Sequence, residues 1–185
     1  MNAPAAGAWP DELHTACGLL RRLQPGDAQA LFEGITGDRE VTRYLGWRTH
    51  ETLDQTRNLV SYELARWQRD VARTWVLDLP ERRVCGMFQV IGQGPTRQIG
   101  FALARRFWGR GLATDAVATL VAVAFTHPSV YRVEAVCDAE NDRSSRLLQQ
   151  AGMKLEARLG RYILHPNLSP QPRDALMHAK VRREE

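Results

Sequence analysis

The residues of this chain best suited to chemistry lie between Arg105 and Ala116, in the run Arg-Arg-Phe-Trp-Gly-Arg-Gly-Leu-Ala-Thr-Asp-Ala. Two glycines stand among three arginines, and an apolar helical stretch follows at once. Glycine lets a ligand approach the main chain, and the first amides of a helix have no partner inside it. With the roughly half positive charge of a helix N-terminus, such amides form a site for phosphate. The same residues also suit a strand-to-helix turn that needs positive φ at Gly109 or Gly111. Taken alone, the run leaves both readings open.

A second polar pair, Asn141 and Ser144, stands three residues apart, which puts both on one face of a helix. Asn141 as N-cap with Ser144 as its N3 partner is one reading, and joint contact with a ligand is the other. Other catalytic patterns are missing from the sequence. It contains no GxSxG elbow and no HExxH, and its five histidines show no metal-ligand spacing. His127 and His178 read as ordinary helix-end and strand residues. The three cysteines, Cys17, Cys85 and Cys137, fall within expected strands without CxxC spacing and read as buried reduced thiols. No metal site is expected.

The elements that must position these residues follow from periodicity and punctuation. Residues 17–24 read as a first strand ended by Pro25-Gly26, after which Asp27 caps a short helix over 28–36. A short helical or irregular piece, 39–47, comes next. Leu53, Leu59, Tyr62, Leu64 and Trp67 then predict a helix from Leu53 to Arg69 with Thr52 as N-cap. Three strands are expected at 74–80, 83–92 and 97–104, joined by turns at Glu81-Arg82-Arg83 and at 92–96, and turns this short force antiparallel pairing. The glycine run leads into a helix from Leu112 to His127, followed by a strand at 131–138, a capped helix ending at Gly152, and strands at 153–164 and 175–182. An antiparallel meander feeding a β-α-β crossover predicts an α/β (α+β) mixed sheet with helices on both faces.

At 185 residues, 44% hydrophobic and 25% charged, the chain suits one globular domain. Residues 1–16 are expected to be a tail and 17–183 the domain. The N-terminal residues show neither a basic region nor an apolar core, so no signal peptide is expected. No apolar stretch is long enough to span a bilayer, and the expected location is cytoplasmic, without a membrane partner. The net charge is +4, and only Lys154 and Lys180 are lysines. The many arginines are scattered, which fits a GC-rich coding bias better than a phosphate surface. No nucleic-acid module appears, and no nucleic-acid partner is expected. Gly109-Arg110-Gly111 after a strand also invites comparison with a dinucleotide fingerprint, with Asp138 as ribose acid. Thr114 stands where that pattern needs a third small residue, and three antiparallel strands precede the loop, so a nicotinamide cofactor fits poorly.

The two motifs together, at this separation, resemble the acyl-CoA-binding core of the GNAT N-acetyltransferases. Arg106-Phe107-Trp108-Gly109-Arg110-Gly111 fits the [Q/R]xxGx[G/A] pyrophosphate loop, and Asn141-x-x-Ser144 with Leu147, Leu148 and Gly152 fits the helix beside the pantetheine arm. Residues 41–56 and 165–181 look like the subfamily of ribosomal-protein N-terminal acetyltransferases. The resemblance implies a GNAT fold with acetyl-CoA as co-substrate and an amine as acceptor. It also implies a splayed parallel pair of strands, with pantetheine pairing along the main chain of Phe101, Ala102 and Leu103. Amides of Gly109, Arg110, Gly111, Leu112, Ala113 and Thr114 would receive the pyrophosphate, with Arg106 and Arg110 either at its solvent edge or merely solvated. Asn141 would bond the pantetheine, and Ser144 would protonate the leaving thiolate.

The implied reaction is attack of a neutral amine on the thioester through a tetrahedral intermediate, with a strand amide as oxyanion donor. The base is open among Glu134, Glu140, Tyr162 and His165, because Gln98 stands where many relatives carry glutamate. A peptide α-amine is roughly a third neutral near pH 7.5, whereas a lysine is neutral about once in a thousand, so a base-poor site favours α-amines. A small-molecule amine acetyltransferase, whose pocket residues 47–69 would line, and a non-catalytic acyl-CoA-binding module are the alternatives. The chain is expected to act as monomer or homodimer.

Overall fold

The computed structural model describes residues 9–80 and 83–182, so Glu81 and Arg82 of the expected turn lie outside the described residues. Eight strands form one sheet in the order β1-β2-β3-β4-β5-β6-β8-β7. These are β1 (Glu12–His14), β2 (Leu19–Arg22), β3 (Ala72–Leu79), β4 (Arg83–Ile91), β5 (Thr96–Leu103), β6 (Arg132–Asp138), β7 (Lys154–Ile163) and β8 (Arg173–Val181). All neighbours are antiparallel except β5 and β6, and helices cover both faces. The edge strand β1 has no counterpart in the sequence reading, which placed these residues in a tail. Three residues are too few for an alternating pattern to register, and pairing with β2 makes the strand.

Five α-helices accompany the sheet: α1 (Ala28–Leu31), α2 (Arg39–Thr42), α3 (Leu53–Gln68), α4 (Leu112–Ala124) and α5 (Asp142–Gln150). Asp27 does not cap α1. Its carboxylate accepts from Gln24 N–H at 2.8 Å and from the Arg21 guanidinium at 2.6 and 3.0 Å, which fastens β2 to the turn after it. In α3, Gln55 returns to the Thr52 amide at 3.1 Å, and Thr56, Val60, Glu63 and Trp67 form the buried stripe. The helix α4 buries Leu112, Ala113, Ala116, Val117, Leu120, Val121 and Ala124, the i, i+3, i+4 pattern of a core-facing helix. It stops at Ala124, short of the expected His127, which instead stacks on Trp9 at 4.1 Å.

The parallel pairing that positions the site is brief. Thr96, Arg97 and Gln98 register with Arg132, Val133 and Glu134, and there the two strands part. Beyond that point β5 keeps only β4 as neighbour and β6 keeps only β8. The edges of Ile99–Leu103 and Ala135–Asp138 therefore face each other across a gap. Cys85 and Cys137 are buried in strands as expected, but Cys17 is exposed in the bend between β1 and β2, correcting its reading as a buried strand residue.

Candidate active site

The splay opens into a cleft of about 890 Å³. Its lining includes Phe101, Ala102, Leu103, Gly109, Arg110, Gly111, Leu112, Ala113, Thr114, Asn141 and Ser144, eleven of the twelve residues singled out from sequence. Arg106 is the exception. It is exposed, and its guanidinium lies 4.9 Å from the Phe107 ring centroid, outside the lining.

The glycine loop shows the left-handed turn directly. Gly109 and Gly111 have φ of +75° and +77°, so the turn does require left-handed residues. A Cβ built at either would meet nothing within 4 Å, so the main chain there is also bare toward the cleft. Among the described residues, none of the six amides from Gly109 to Thr114 donates to a protein acceptor; the ladder of α4 begins with Asp115 N–H to Gly111 O at 3.0 Å. Six adjacent donors at the N-terminus of a 13-residue helix fit an anion. The turn that needs glycine is also the one that exposes the amides, so one geometry serves the structural reading and leaves room for the anion reading.

The β5 edge supplies the next set of groups. Ala104 N–H donates to Cys85 O at 2.8 Å, which fixes the alternation of the antiparallel ladder. Ala102 accordingly turns its main-chain groups to Met87, and Phe101 and Leu103 turn theirs into the gap. Ala102 thus lines the cleft without offering a main-chain partner there, the alternation that any added strand would meet. The Leu103 carbonyl is already taken by Trp108 Nε1 at 2.7 Å. Trp108 in turn lies under the Arg143 guanidinium at 4.0 Å, so a cation–π contact joins the glycine loop to α5.

On α5 the capping reading of Asn141 is realised. Its Oδ1 accepts from Ser144 N–H at 3.2 Å. The cap occupies the Asn141 oxygen and the Ser144 amide, leaving the Asn141 Nδ2 and the Ser144 hydroxyl for the cleft that both residues line. Cys137, also in the lining, is a neutral thiol, since burial pushes its pKa up to about 11.

Of the four base candidates, only Glu140 lines the cleft, and its carboxylate lies 2.7 Å from the Arg173 guanidinium. Glu134 is ion-paired to Arg132 at 2.9 Å, and Tyr162 is exposed on β7 away from the cleft. His165 is buried, with Nε2 3.5 Å from Asp138 Oδ2 and Nδ1 3.4 Å from Leu45 O. Burial lowers the pKa of His165, keeping the ring neutral at neutral pH. Burial also works against charge on Asp138, yet two bonds from Arg173 and one from the Glu140 amide hold its carboxyl below the usual range.

Residues 47–69, expected to line an acceptor pocket, do not line this cleft. The segment just before them does, with Glu40, Arg43, Tyr44 and Leu45 contributing. Sequence reasoning missed Glu40 and Tyr44 because α2 is a single turn without amphipathic signal. Among the described residues no group of three His, Cys, Asp or Glu could hold a metal ion, and no helix is long and apolar enough to cross a membrane.

The acetyltransferase (GNAT) domain model matches residues 19–154. The uncharacterized N-acetyltransferase YoaA of Bacillus subtilis is 28% identical over 149 residues, covering 78% of this chain and 84% of that protein. Among solved structures, RimL, a ribosomal L7/L12 alpha-N-protein acetyltransferase in complex with coenzyme A, superposes with a TM-score of 0.79 at 17% identity, covering 90% of this chain and 95% of that one. The microcin C7 self-immunity acetyltransferase MccE, in complex with acetyl-CoA and AMP, gives 0.81 at 18% identity over 90% and 93%. The splayed pair, the amide loop and the family match agree, and the chain belongs to the GNAT family of acetyltransferases.

Proposed function

We propose that this acyltransferase takes acetyl-CoA along β5 and acetylates the α-amine of a peptide or protein N-terminus. The observation that carries the donor side is the run of unpartnered amides from Gly109 to Thr114, with the main-chain groups of Phe101 and the Leu103 N–H turned into the same gap. The residues fit the donor without adjustment. Amides at the head of α4 hold the diphosphate, and the Phe101 and Leu103 edge holds the pantetheine amides as an added strand would. Acetyl-CoA, when bound, supplies an activated acetyl thioester.

The Phe101 or Leu103 N–H donates to the oxygen on which charge grows, solvent water takes the proton the amine loses on attack, and the Ser144 hydroxyl delivers a proton to the departing sulfur as the C–S bond breaks. Asn141 Nδ2 orients the pantetheine. The neutral Cys137 thiol adds no competing negative charge.

A donor anchored by its diphosphate on the glycine loop directs its acetyl end away from that loop, toward Glu40–Gly46 and Ile163, which we read as the acceptor wall. That wall, like the rest of the lining, offers no carboxylate fixed as a dedicated base. Glu140 is paired, and Glu40 on α2 and Asp142 on α5 are exposed. An acceptor already partly neutral near pH 7.5 suits such a site, which supports an α-amine over a lysine. The RimL comparison supports the same choice, with ribosomal-protein N-termini the first acceptors to test. The comparison with MccE, of equal fold similarity, keeps a small-molecule amine as the second reading.

The test is acetyl transfer to a peptide carrying both a free N-terminal serine and an internal lysine, read by fragment mass spectrometry. The acetyl group is expected on the N-terminal nitrogen. Modification of lysine alone, or of a small amine and no peptide, would overturn the α-amine reading.

A further inference from the structure

The acceptor wall is held in place from far away in sequence. Among the described residues, Leu45 is the only residue from 43 to 49 whose amide enters a main-chain hydrogen bond outside helices and strands, to Thr42 O at 2.9 Å. Local bonds close the segment's ends, the Thr42 and Thr49 hydroxyls at 2.7 Å and His50 N–H to Thr36 O at 2.8 Å, and the rest of the fixation comes from the turn joining β7 to β8. Asn167 donates through Nδ2 to Thr42 O and to Trp47 O, each at 2.8 Å. Its Oδ1 accepts from Thr49 N–H at 3.0 Å and from the Thr49 hydroxyl at 3.3 Å.

These four contacts use the full capacity of a carboxamide, two donors and two acceptor positions. They also fix its orientation, because a flipped amide would set its oxygen against two carbonyls. The turn itself is stiff, with Leu168 and Ser169 amides both bonded to His165 O at 2.9 and 3.0 Å. The His165 ring reaches Leu45 O, Asp138 at the end of β6, and the edge of the Tyr44 ring at a centroid distance of 6.0 Å. Asp138 O also accepts from Asn141 N–H at 2.9 Å, so the strand end that launches α5 is the one that backs the latch.

We infer that Asn167 is a positioning residue for the acceptor. Its side chain sets the height of Glu40–Gly46 above the cleft and thereby the fit of the amine-bearing substrate, while touching neither donor nor acceptor. The inference rests on the reading of this wall as the acceptor side. Asn167 itself is not part of the cleft lining. A displaced wall weakens contacts to the acceptor that are held alike in the ground and transition states, which raises KM and leaves kcat nearly unchanged.

The test compares wild type with Asn167→Ala and Asn167→Asp. The aspartate variant keeps an acceptor for Thr49 N–H but turns a carboxylate toward two carbonyls, so it is expected to fail like alanine. With a serine-terminated hexapeptide, both variants should raise the acceptor KM by about tenfold or more, with kcat and the acetyl-CoA Kd within about threefold. Amide exchange at Thr49 should quicken in both variants, while β5 amides keep their protection.

An unchanged acceptor KM, or Thr49 exchange that stays slow in both variants, would overturn the latch. So would parallel losses in melting temperature, kcat and acetyl-CoA affinity, the mark of a merely structural role. If wild type refuses the peptide but acetylates spermidine, the α-amine reading falls and the latch is judged by the spermidine KM and the Thr49 exchange. A wild type that acetylates neither overturns both.

Discussion

One wall of the cleft is made of main chain and the other of side chains. Phe101, Leu103 and Gly109–Thr114 present peptide groups, and the identity of most side chains there is secondary to two left-handed glycines and a strand that loses its neighbour. Glu40–Gly46, opposite, presents Glu40, Arg43 and Tyr44 on a segment kept in place by the Asn167 carboxamide and His165. A main-chain wall binds the part of a substrate that never varies. A wall on tethered loops can be retuned for a different acceptor by a few substitutions, without disturbing the donor site.

The largest effect should come from breaking the main-chain wall. Gly111→Val forces a β-branched residue to φ near +77°, a strain of about 1–3 kcal/mol, and places its branches over the amides. Acetyl-CoA binding should fall by at least about a hundredfold in calorimetric titration. Wild type in acetyl-CoA at a hundred times Kd should gain roughly 2.7 kcal/mol in stability, a gain the variant should lack. Stabilisation by a nicotinamide cofactor in place of acetyl-CoA would reverse the donor assignment.

Ser144→Ala removes the group proposed to act only as charge develops. Steady-state kinetics should show kcat lower by about ten- to a thousandfold with acetyl-CoA affinity little changed. Its amide keeps the bond to Asn141, so the melting temperature should hold. Unchanged kcat in a folded Ser144→Ala enzyme would leave a site working by positioning alone.

Asn141→Ala should act differently, weakening acetyl-CoA binding as its main effect. Loss of the cap on α5 should also cost about 0.5–2 kcal/mol, visible in denaturant melts. A variant that lost stability but bound acetyl-CoA normally would reduce Asn141 to its capping role.

The smallest effect sharpens the comparison through pH. Burial lowers the pKa of His50, His127, His165 and His178 in the fold, so the unfolded chain binds more protons as pH falls through its histidine range near 6.5. Stability is therefore full above that range and declines below it, with Asp138, held low by Arg173 against its burial, adding a further loss only below the ordinary carboxylate range. Melting temperature should drop between pH 7.5 and 5.5, and the exchange protection of Thr49, taken relative to the intrinsic rate at each pH, should fall sooner than that of β5 because His165 backs that wall. Equal sensitivity of the two regions would argue against a separate latch.

What was legible in the sequence follows the same division. The glycine loop, the Asn141–Ser144 pair, the long helices and the crossover all rest on short-range spacing, and sequence carries spacing directly. The positive φ at both glycines and the N-terminus of α4 at Leu112 match that reading closely. The acceptor wall escaped it. Asn167 and Thr42 lie 125 positions apart, α2 is one turn long, and a lone asparagine in a proline-flanked turn signals only a turn. The two alternatives for Arg106 could not be separated in sequence for a related reason, since motif position fixes its Cα while packing on Phe107 decides where the guanidinium goes.

The measurement that bears most directly on the main-chain donor site is an amide chemical-shift titration with acetyl-CoA, run on wild type and on the Arg106→Ala, Arg110→Ala double variant. The amides of Gly109–Thr114, Phe101 and Leu103 should move together and saturate. The double variant should bind within about threefold of wild type, because backbone groups at a helix N-terminus do the holding. Shifts that leave these amides untouched, or binding that collapses when the two arginines are removed, would contradict it.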